Sequence, residues 1–127
     1  MRLLDADVMT DIIRGYRPAL IWFGSTDEEM ALPGPVILEL MKGCEDTREI
    51  QKLRRLLIPF QVHWPTASDG NRALDTYARG SLSHGIGILD ALIAECAVGL
   101  GVPLCTFNVR HFRAVAGLTT EQPYERV

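Results

Sequence analysis

Residues 87–108 read GILDALIAECAVGLGVPLCTFN, and this stretch decides the class of fold. Its first part, 89–100, is almost wholly apolar and ends at Gly99 and Gly101, which predicts a buried helix with a glycine-assisted exit. Its second part, 102–107, is a short apolar run and predicts a buried strand. A buried helix that leads at once into a buried strand is typical of α/β proteins, in which helices cover a parallel sheet.

Two polar residues stand at critical points of this stretch. Asp90 lies in the first turn of the predicted helix, and Asn108 directly follows the predicted strand. A carboxylate among apolar neighbours is costly to desolvate unless it is paired, and few Lys or Arg residues are near it in sequence. A metal cation is therefore a candidate partner for Asp90. Stabilisation of the helix dipole, an effect of about 0.3–1 kcal/mol at an exposed site, would also account for it.

The same pattern of short strands and helices extends over the rest of the chain. Strands are predicted at 2–4, 30–32, 61–64 and 102–107. Helices are predicted at 5–14, 18–23, 36–43, 47–57, 66–80, 89–100 and 109–115, with a loop at 80–87 and Thr47 as one N-cap. Because no repeat, low-complexity tract or linker interrupts this order, residues 1–127 are predicted to form one α/β domain with a parallel sheet.

Composition and charge exclude several classes of protein. The chain has 127 residues, of which 47% are hydrophobic, and a formal charge of −3, which argues against a broad basic surface for nucleic acid. The three cysteines form no CxxC pair, so neither a disulfide framework nor a zinc site is indicated. No apolar run approaches the ~18 residues of a membrane span, and the N-terminus does not resemble a signal peptide. We therefore expect a cytoplasmic protein without a membrane contact.

Four side chains are expected to meet at one edge of the predicted sheet. Asp5 and Asn108 each follow a strand, and the carboxyl ends of parallel strands share one rim, where ligands bind in α/β proteins. Glu39 lies about one turn into the helix after the strand at 30–32, and Asp90 lies at a helix start, which also falls near this rim. Each acid also has a structural explanation, since Asp5 could cap a helix and Glu39 could face solvent.

The chemistry of these side chains points to divalent cations. Mg²⁺ and Mn²⁺ prefer oxygen ligands, keep several waters and bind through a few carboxylates together with substrate phosphate. Such a site can activate water and stabilise the displaced oxygens of a phosphodiester. An acidic protein of this kind can still cut nucleic acid, because the metal neutralises both the carboxylates and the phosphate.

Four blocks of the sequence resemble a known family. They are LLDADV at 3–8, VILELMKG at 36–43, ILDALIAECAVGLGVPLCTFNVRHF at 88–112 and AVAGL at 114–118. Their order and spacing are similar to those of PIN-domain ribonucleases, in particular the VapC-type toxins of toxin–antitoxin pairs. The resemblance covers about residues 2–118.

The resemblance implies a fold, an activity and partners. The fold is a PIN-like α/β/α sandwich with a short central parallel sheet, and the activity is hydrolysis of single-stranded RNA with Mg²⁺ or Mn²⁺. By motif, Asp5, Glu39 and Asp90 are the catalytic, metal-binding acids, Asn108 is the fourth metal position, and Thr106 is an orienting hydroxyl. Members commonly form homodimers and are inhibited by a small antitoxin protein.

Some residues depart from the family pattern and leave alternatives open. Asn108 replaces a possible Asp, and His111 stands where many relatives carry an acid. A second metal could therefore be absent, and a catalytically weak or inactive PIN-like domain that binds RNA or a protein partner is the alternative. Arg110 and Arg113 could contact RNA phosphates or be solvated charges. Asp7 could line the site.

Other positions and fold classes carry weaker predictions. Asp11 is expected on a solvated helix face, and Pro33-Gly34-Pro35 replaces the Ser- or Thr-containing entry that relatives have before the Glu39 helix. A receiver-type signalling domain would need a Lys after its fifth strand, and no Lys follows Lys52. A dinucleotide-binding fold would need GxGxxG after the first strand, where the chain reads DADVMTD.

Overall fold

A computed structural model describes residues 1–127 and contains a five-stranded sheet flanked by seven helices. The strands are β1 (Arg2–Leu4), β2 (Met30–Pro33), β3 (Gln61–His63), β4 (Leu104–Cys105) and β5 (Thr120–Glu121). The helices are α1 (Ala6–Ile13), α2 (Arg17–Ser25), α3 (Gly34–Lys42), α4 (Thr47–Leu57), α5 (Ala67–Ser83), α6 (Ile88–Leu100) and α7 (Val109–Phe112). None of these helices combines the length and the apolar character needed to cross a membrane.

All five strands are parallel and lie in the order β3-β2-β1-β4-β5. The central strand β1 pairs with β2 on one side and β4 on the other, and Leu3 and Leu4 on it are fully buried. The predicted α/β/α sandwich with a short parallel sheet is therefore confirmed. This order places the ends of β1 and β4 side by side at the carboxyl edge of the sheet.

Helix α6 is buried as its apolar sequence predicts. Ile93, Ala94 and Ala97 on it are fully buried in the core. Gly101 ends the helix in the left-handed region, at φ 69°, which favours glycine. Gly99 lies directly against the carboxylate of Asp69 on α5, so a side chain at this position would collide with it. The two glycines thus have different purposes, one for the exit and one for close packing of α5 on α6.

Several predicted boundaries are wrong, each for a local physical reason. The strand predicted at 102–107 is reduced to Leu104–Cys105, because Pro103 has no N–H for the ladder and Phe107 N donates to a side chain, the Asp7 carboxylate, instead of to a neighbouring strand. The loop predicted at 80–87 begins with helix, since α5 continues to Ser83. Gly80 does not end α5, because its missing side chain makes room for Ile86.

Three further differences concern a helix cap, a helix end and a short strand. Asp46, not Thr47, caps α4, because its Oδ1 accepts a hydrogen bond from Glu49 N at 2.8 Å. The helix predicted at 109–115 ends at Phe112. Strand β5 is not among the predicted strands. It forms because Leu104 N and Thr106 N donate hydrogen bonds to the carbonyls of Thr119 and Glu121.

A buried Glu95 joins α5 to α6. Its side chain is 4% exposed and accepts hydrogen bonds from Thr76 Oγ1 at 2.6 Å and from Arg72 Nε at 3.0 Å. Arg72 also binds the Asp69 carboxylate, so the two buried carboxylates share one guanidinium. A buried carboxylate needs such partners, since an unmet hydrogen bond to a charged group is costly.

Thr76→Val is expected to lower the free energy of unfolding by about 2 kcal/mol, because valine keeps the shape of threonine but leaves one Glu95 oxygen without its donor. Urea unfolding at pH 7 measures the effect. Thr47→Val, at an exposed helix position, is the control and should change the free energy by less than about 0.5 kcal/mol. Equal values for the two variants would contradict the importance of the buried contact.

Candidate active site

Asp5 lies at the point where β1 ends and α1 begins. Its backbone N donates to Cys105 O, so the parallel pairing of β1 with β4 brings it beside Thr106. The carboxylate is 4% exposed and accepts hydrogen bonds from Ala6 N and from Thr106 Oγ1, both at 2.8 Å. Asp5 is therefore the N-cap of α1 and also a buried acid at the carboxyl edge of the sheet. Asp5 thus has the capping role that the sequence allowed and also lies at the predicted edge of the sheet.

Burial changes the acidity of Asp5. Desolvation, followed by the nearby Asp7 charge, raises the pKa of Asp5 from 3.8 to about 7, although the hydrogen bonds from Thr106 and Ala6 oppose this. The charged form of Asp5 is thus poorly stabilised by the protein alone. A cation beside the carboxylate would supply the missing compensation.

Asp7 is a second carboxylate at the same point. Its Oδ2 accepts from Phe107 N at 2.9 Å and lies 3.4 Å from Thr106 Oγ1, while its Oδ1 accepts from Val8 N at 2.7 Å. Burial raises its pKa, and the two backbone donors work against the rise. Asp7 therefore ties the start of α1 to the segment that leaves β4. The sequence analysis considers Asp7 only as a residue that could line the site, and the structure places its carboxylate beside that of Asp5.

Glu39 and Asp90 lie together in a shallow groove beside this pair. The groove has a volume of about 270 Å³ and is lined by Glu39 and Lys42 of α3, Tyr77 of α5 and residues 87–90 at the start of α6. Asp90 Oδ2 accepts from Gly87 N at 3.1 Å, so it also caps its own helix. Burial first, and then the charge of Asp90, raise the pKa of the partly buried Glu39; Asp7 adds to the rise and Lys42 opposes it.

The acids form two adjacent pairs rather than one closed cage. Asp5 and Asp7 share the Thr106 hydroxyl, and Glu39 and Asp90 share the groove. No three carboxylate, imidazole or thiol side chains are close enough to enclose a metal ion on their own. Mg²⁺ and Mn²⁺ fit such an open set of oxygen donors, because they bind few protein carboxylates and keep waters in the other positions.

Asn108 follows Thr106 and Phe107 and begins α7. Its backbone N donates to Thr106 Oγ1 at 3.0 Å, and its side-chain Nδ2 lies 2.9 Å from His111 Nδ1. In this orientation the amide nitrogen donates to His111 Nδ1, and Asn108 Oδ1 accepts no hydrogen bond from the protein. The position that the resemblance predicted as a fourth ligand thus carries a neutral oxygen.

The remaining predicted positions are at the surface or in other contacts. Arg110 and Arg113 are exposed and form no ion pair. Asp11, expected on a solvated helix face, instead accepts hydrogen bonds from Tyr124 Oη and Arg126 Nε. Gly34, at the start of α3, lies against the ring of Trp64, which leaves no room for a side chain at this position.

Comparisons with known proteins agree with this fold. The family model described as PIN domain matches residues 2–118. No protein of curated function matches the chain at a significant level. A chain of a toxin–antitoxin complex from Klebsiella pneumoniae is similar in structure, with a TM-score of 0.77, 21% identity and coverage of 99% of this chain and 100% of that chain.

Two further solved structures have the same fold. A chain of VapBC2 from Rickettsia felis, bound to a DNA fragment from their promoter, gives a TM-score of 0.75 at 19% identity, covering 94% of this chain and 96% of that chain. A chain of VapBC-1 from nontypeable Haemophilus influenzae gives 0.72 at 22% identity, with coverage of 94% and 96%. At these identities the likeness concerns the fold.

Proposed function

Because the chain belongs to the PIN domain family, whose members are in general nucleases that use divalent metals, we propose that it is an Mg²⁺- or Mn²⁺-dependent endoribonuclease acting on single-stranded RNA. The observation that carries this proposal is the buried Asp5 at the carboxyl edge of the sheet, held by Thr106 and flanked by acids from other segments. Asp7 and Glu39 also have raised pKa values, and Glu39 and Asp90 line one groove. Helix capping alone does not account for four acids so close together.

Each residue has a distinct part in this proposal. Asp5, Glu39 and Asp90 are the proposed catalytic acids and would hold the metal together with its waters, and Asn108 would contribute Oδ1. A bound divalent ion supplies an activated water and charge neutralisation at the phosphodiester. Thr106 keeps the Asp5 carboxylate in one orientation through its 2.8 Å hydrogen bond. The exposed Arg110 and Arg113 are available to contact the phosphates of an RNA strand.

We also propose that the protein is the cytoplasmic toxin of a toxin–antitoxin pair. The structurally similar chains come from a toxin–antitoxin complex and from VapBC complexes, which supports a cognate antitoxin as a partner. A homodimer is expected from the same resemblance. Co-purification with the product of a neighbouring short gene would test the partner directly.

The decisive experiment is cleavage of a labelled single-stranded RNA by the purified protein. Cleavage should require Mg²⁺ or Mn²⁺, cease on chelation and return when the metal is restored. The Asp90→Asn variant, prepared in the same way, should be inactive, whereas Asp75→Asn, which changes an exposed acid on α5, should behave as wild type. Equal activity of wild type and Asp90→Asn would refute the proposal and indicate a contaminating nuclease.

A second candidate is a PIN domain that binds RNA or a protein without cutting it. It is favoured by Asn108, whose amide is bonded to His111 in place of a fourth carboxylate. Mn²⁺ titration separates the two candidates. Absence of binding at millimolar Mn²⁺, together with retained RNA or protein binding, would favour the inactive domain.

A further inference from the structure

The last residues of the chain, 122–127, return across α1 toward the acidic site. We call this segment the C-terminal strap. Tyr124 Oη donates to Asp11 Oδ2 at 2.8 Å, and Arg126 Nε donates to the same oxygen at 3.1 Å. Arg126 Nη2 also donates to the backbone carbonyl of Asp7 at 3.4 Å. The strap lies outside residues 2–118, which the family model matches.

Tyr124 and Arg126 of the strap both pack against the ring of Phe107. The Tyr124 ring meets it edge-on, with centroids 4.9 Å apart, and the Arg126 guanidinium carbon lies 4.0 Å above its centre. Tyr124 is itself supported by Trp22 and Tyr16, whose rings lie 5.8 Å and 6.3 Å away. Cation–π and aromatic contacts of this kind favour one orientation of the ring.

Phe107 connects the strap to the acids. It lies between Thr106 and Asn108 in the chain, and its backbone N donates to Asp7 Oδ2 at 2.9 Å. Arg126 therefore contacts both partners of the Phe107–Asp7 hydrogen bond. It donates to the Asp7 carbonyl and lies over the Phe107 ring. The position of the Thr106 hydroxyl relative to Asp5 depends on this same segment.

We propose that Tyr124 and Arg126 are positioning residues of the acidic site, which they set through Phe107 and Asp7. The proposal rests on the proposed nuclease function for its kinetic consequences. An exposed ion pair such as Arg126–Asp11 contributes little to stability by itself, and Arg126 is 45% exposed, so its contacts matter mainly for geometry. Its Nε and one Nη2 hydrogen bind Asp11 and Asp7, so the guanidinium is held in one orientation, and phosphate binding by its other donors is the alternative that the test addresses.

The test compares Arg126→Ala, Arg126→Lys and Tyr124→Phe with wild type. Glu125→Gln is the matched control, because Glu125 is an exposed neighbour in the strap without a hydrogen bond or ion pair. We measure kcat and KM on single-stranded RNA, the Kd for Mn²⁺, and hydrogen exchange at the Phe107 amide. Tyr124→Phe keeps the ring contacts and loses only the bond to Asp11, so it stays informative if Arg126→Ala folds poorly.

Arg126→Ala is expected to lower kcat and to weaken Mn²⁺ binding by roughly tenfold each, with KM unchanged and faster exchange at Phe107. Arg126→Lys should not restore these values, because an ammonium cannot both cover the ring and bind the Asp7 carbonyl. Tyr124→Phe should show a smaller change in the same direction. A rise in KM with kcat unchanged, restored by lysine, would overturn the proposal in favour of direct phosphate binding.

The outcome for the strap can be separated from the outcome for the nuclease. If wild type cleaves RNA and Arg126→Ala and Tyr124→Phe equal it in all measurements, the nuclease function stands and the positioning role is refuted. If wild type neither cleaves RNA nor binds Mn²⁺, the nuclease function fails and exchange at the Phe107 amide decides alone. Faster exchange in Arg126→Ala than in Glu125→Gln then supports the positioning role, and equal exchange refutes it.

Discussion

Asp5→Asn is expected to reduce RNA cleavage by on the order of a hundredfold or more, because it removes the most buried carboxylate from the proposed metal site. Asparagine keeps the size of the side chain and one acceptor for the Thr106 hydroxyl. It has no negative charge, so the metal loses its main electrostatic partner at the end of β1. In the absence of metal, the same variant is expected to be more stable than wild type above pH 7.

The stability effect follows from the pKa of Asp5. Burial raises the pKa of the Asp5 carboxyl to about 7 in the folded protein, against about 3.8 in the unfolded chain. Between these pH values the folded protein holds a proton that the unfolded chain has released, so the free energy of unfolding falls as pH rises from about 4 to about 7. At about 1.4 kcal/mol per pKa unit, the loss amounts to a few kcal/mol. The raised pKa of Asp7 acts in the same direction.

An asparagine does not titrate, so the Asp5→Asn variant lacks this decline. It loses one hydrogen bond, from Ala6 N, worth about 1 kcal/mol, and remains the more stable protein above pH 7 when metal is absent. Unfolding by urea at pH 5 and pH 8, with and without Mn²⁺, measures the effect. Mn²⁺ should stabilise wild type at pH 8 and have much less effect on the variant.

Asp75→Asn is the control for both measurements, because it removes an exposed carboxylate from α5 without touching the site. It should leave cleavage, the pH dependence of unfolding and the response to Mn²⁺ unchanged. A wild-type protein whose metal-free stability is the same at pH 5 and pH 8 would contradict the buried, poorly compensated state of Asp5.

The central part of the fold is predictable because its signals are local. The apolar run of α6, the glycine exit at Gly101 and the short strands produce a parallel α/β sheet by general packing rules. The ends of elements are less predictable. Strand β5 has two residues and no periodicity, and it exists only because β4 has free backbone groups on that side. Gly80 resembles a helix stop and instead provides room for Ile86.

The site likewise has positions that the sequence predicts and contacts that it does not. Asp5 and Asn108 follow strands, so the rim argument finds their neighbourhood without knowledge of side-chain contacts. The link from Asp7 to Phe107 spans 100 positions, and the link from Arg126 to Asp7 spans 119. No periodicity or motif encodes contacts at such separations, because they depend on how residues 122–127 pack against α1 in the folded protein. Asp11 was assigned to solvent for this reason.

Asn108→Asp is expected to bind Mn²⁺ about 10–100 times more tightly than wild type and to cleave RNA faster, because it adds a negative ligand at the edge that already carries Asp5. The change also has a local cost. Asn108 Nδ2 now donates to His111 Nδ1, and a carboxylate oxygen cannot donate, so the imidazole must turn or take up a proton. Without metal, the added charge beside Asp5 and Asp7 should lower the free energy of unfolding.

Calorimetric titration with Mn²⁺ at pH 7.5 measures the affinity, and Asn71→Asp on the exposed face of α5 is the control for the added charge. Asn108→Ala completes the set, because it removes the oxygen and should bind Mn²⁺ less tightly than wild type. If all three variants bind with the wild-type affinity, the Asn108 oxygen does not face the metal, and the proposed ligands are the carboxylates and the waters that the ion keeps. If wild type binds no Mn²⁺ and only Asn108→Asp does, the natural asparagine has disabled a nuclease site, and binding of RNA or a protein partner becomes the function to pursue.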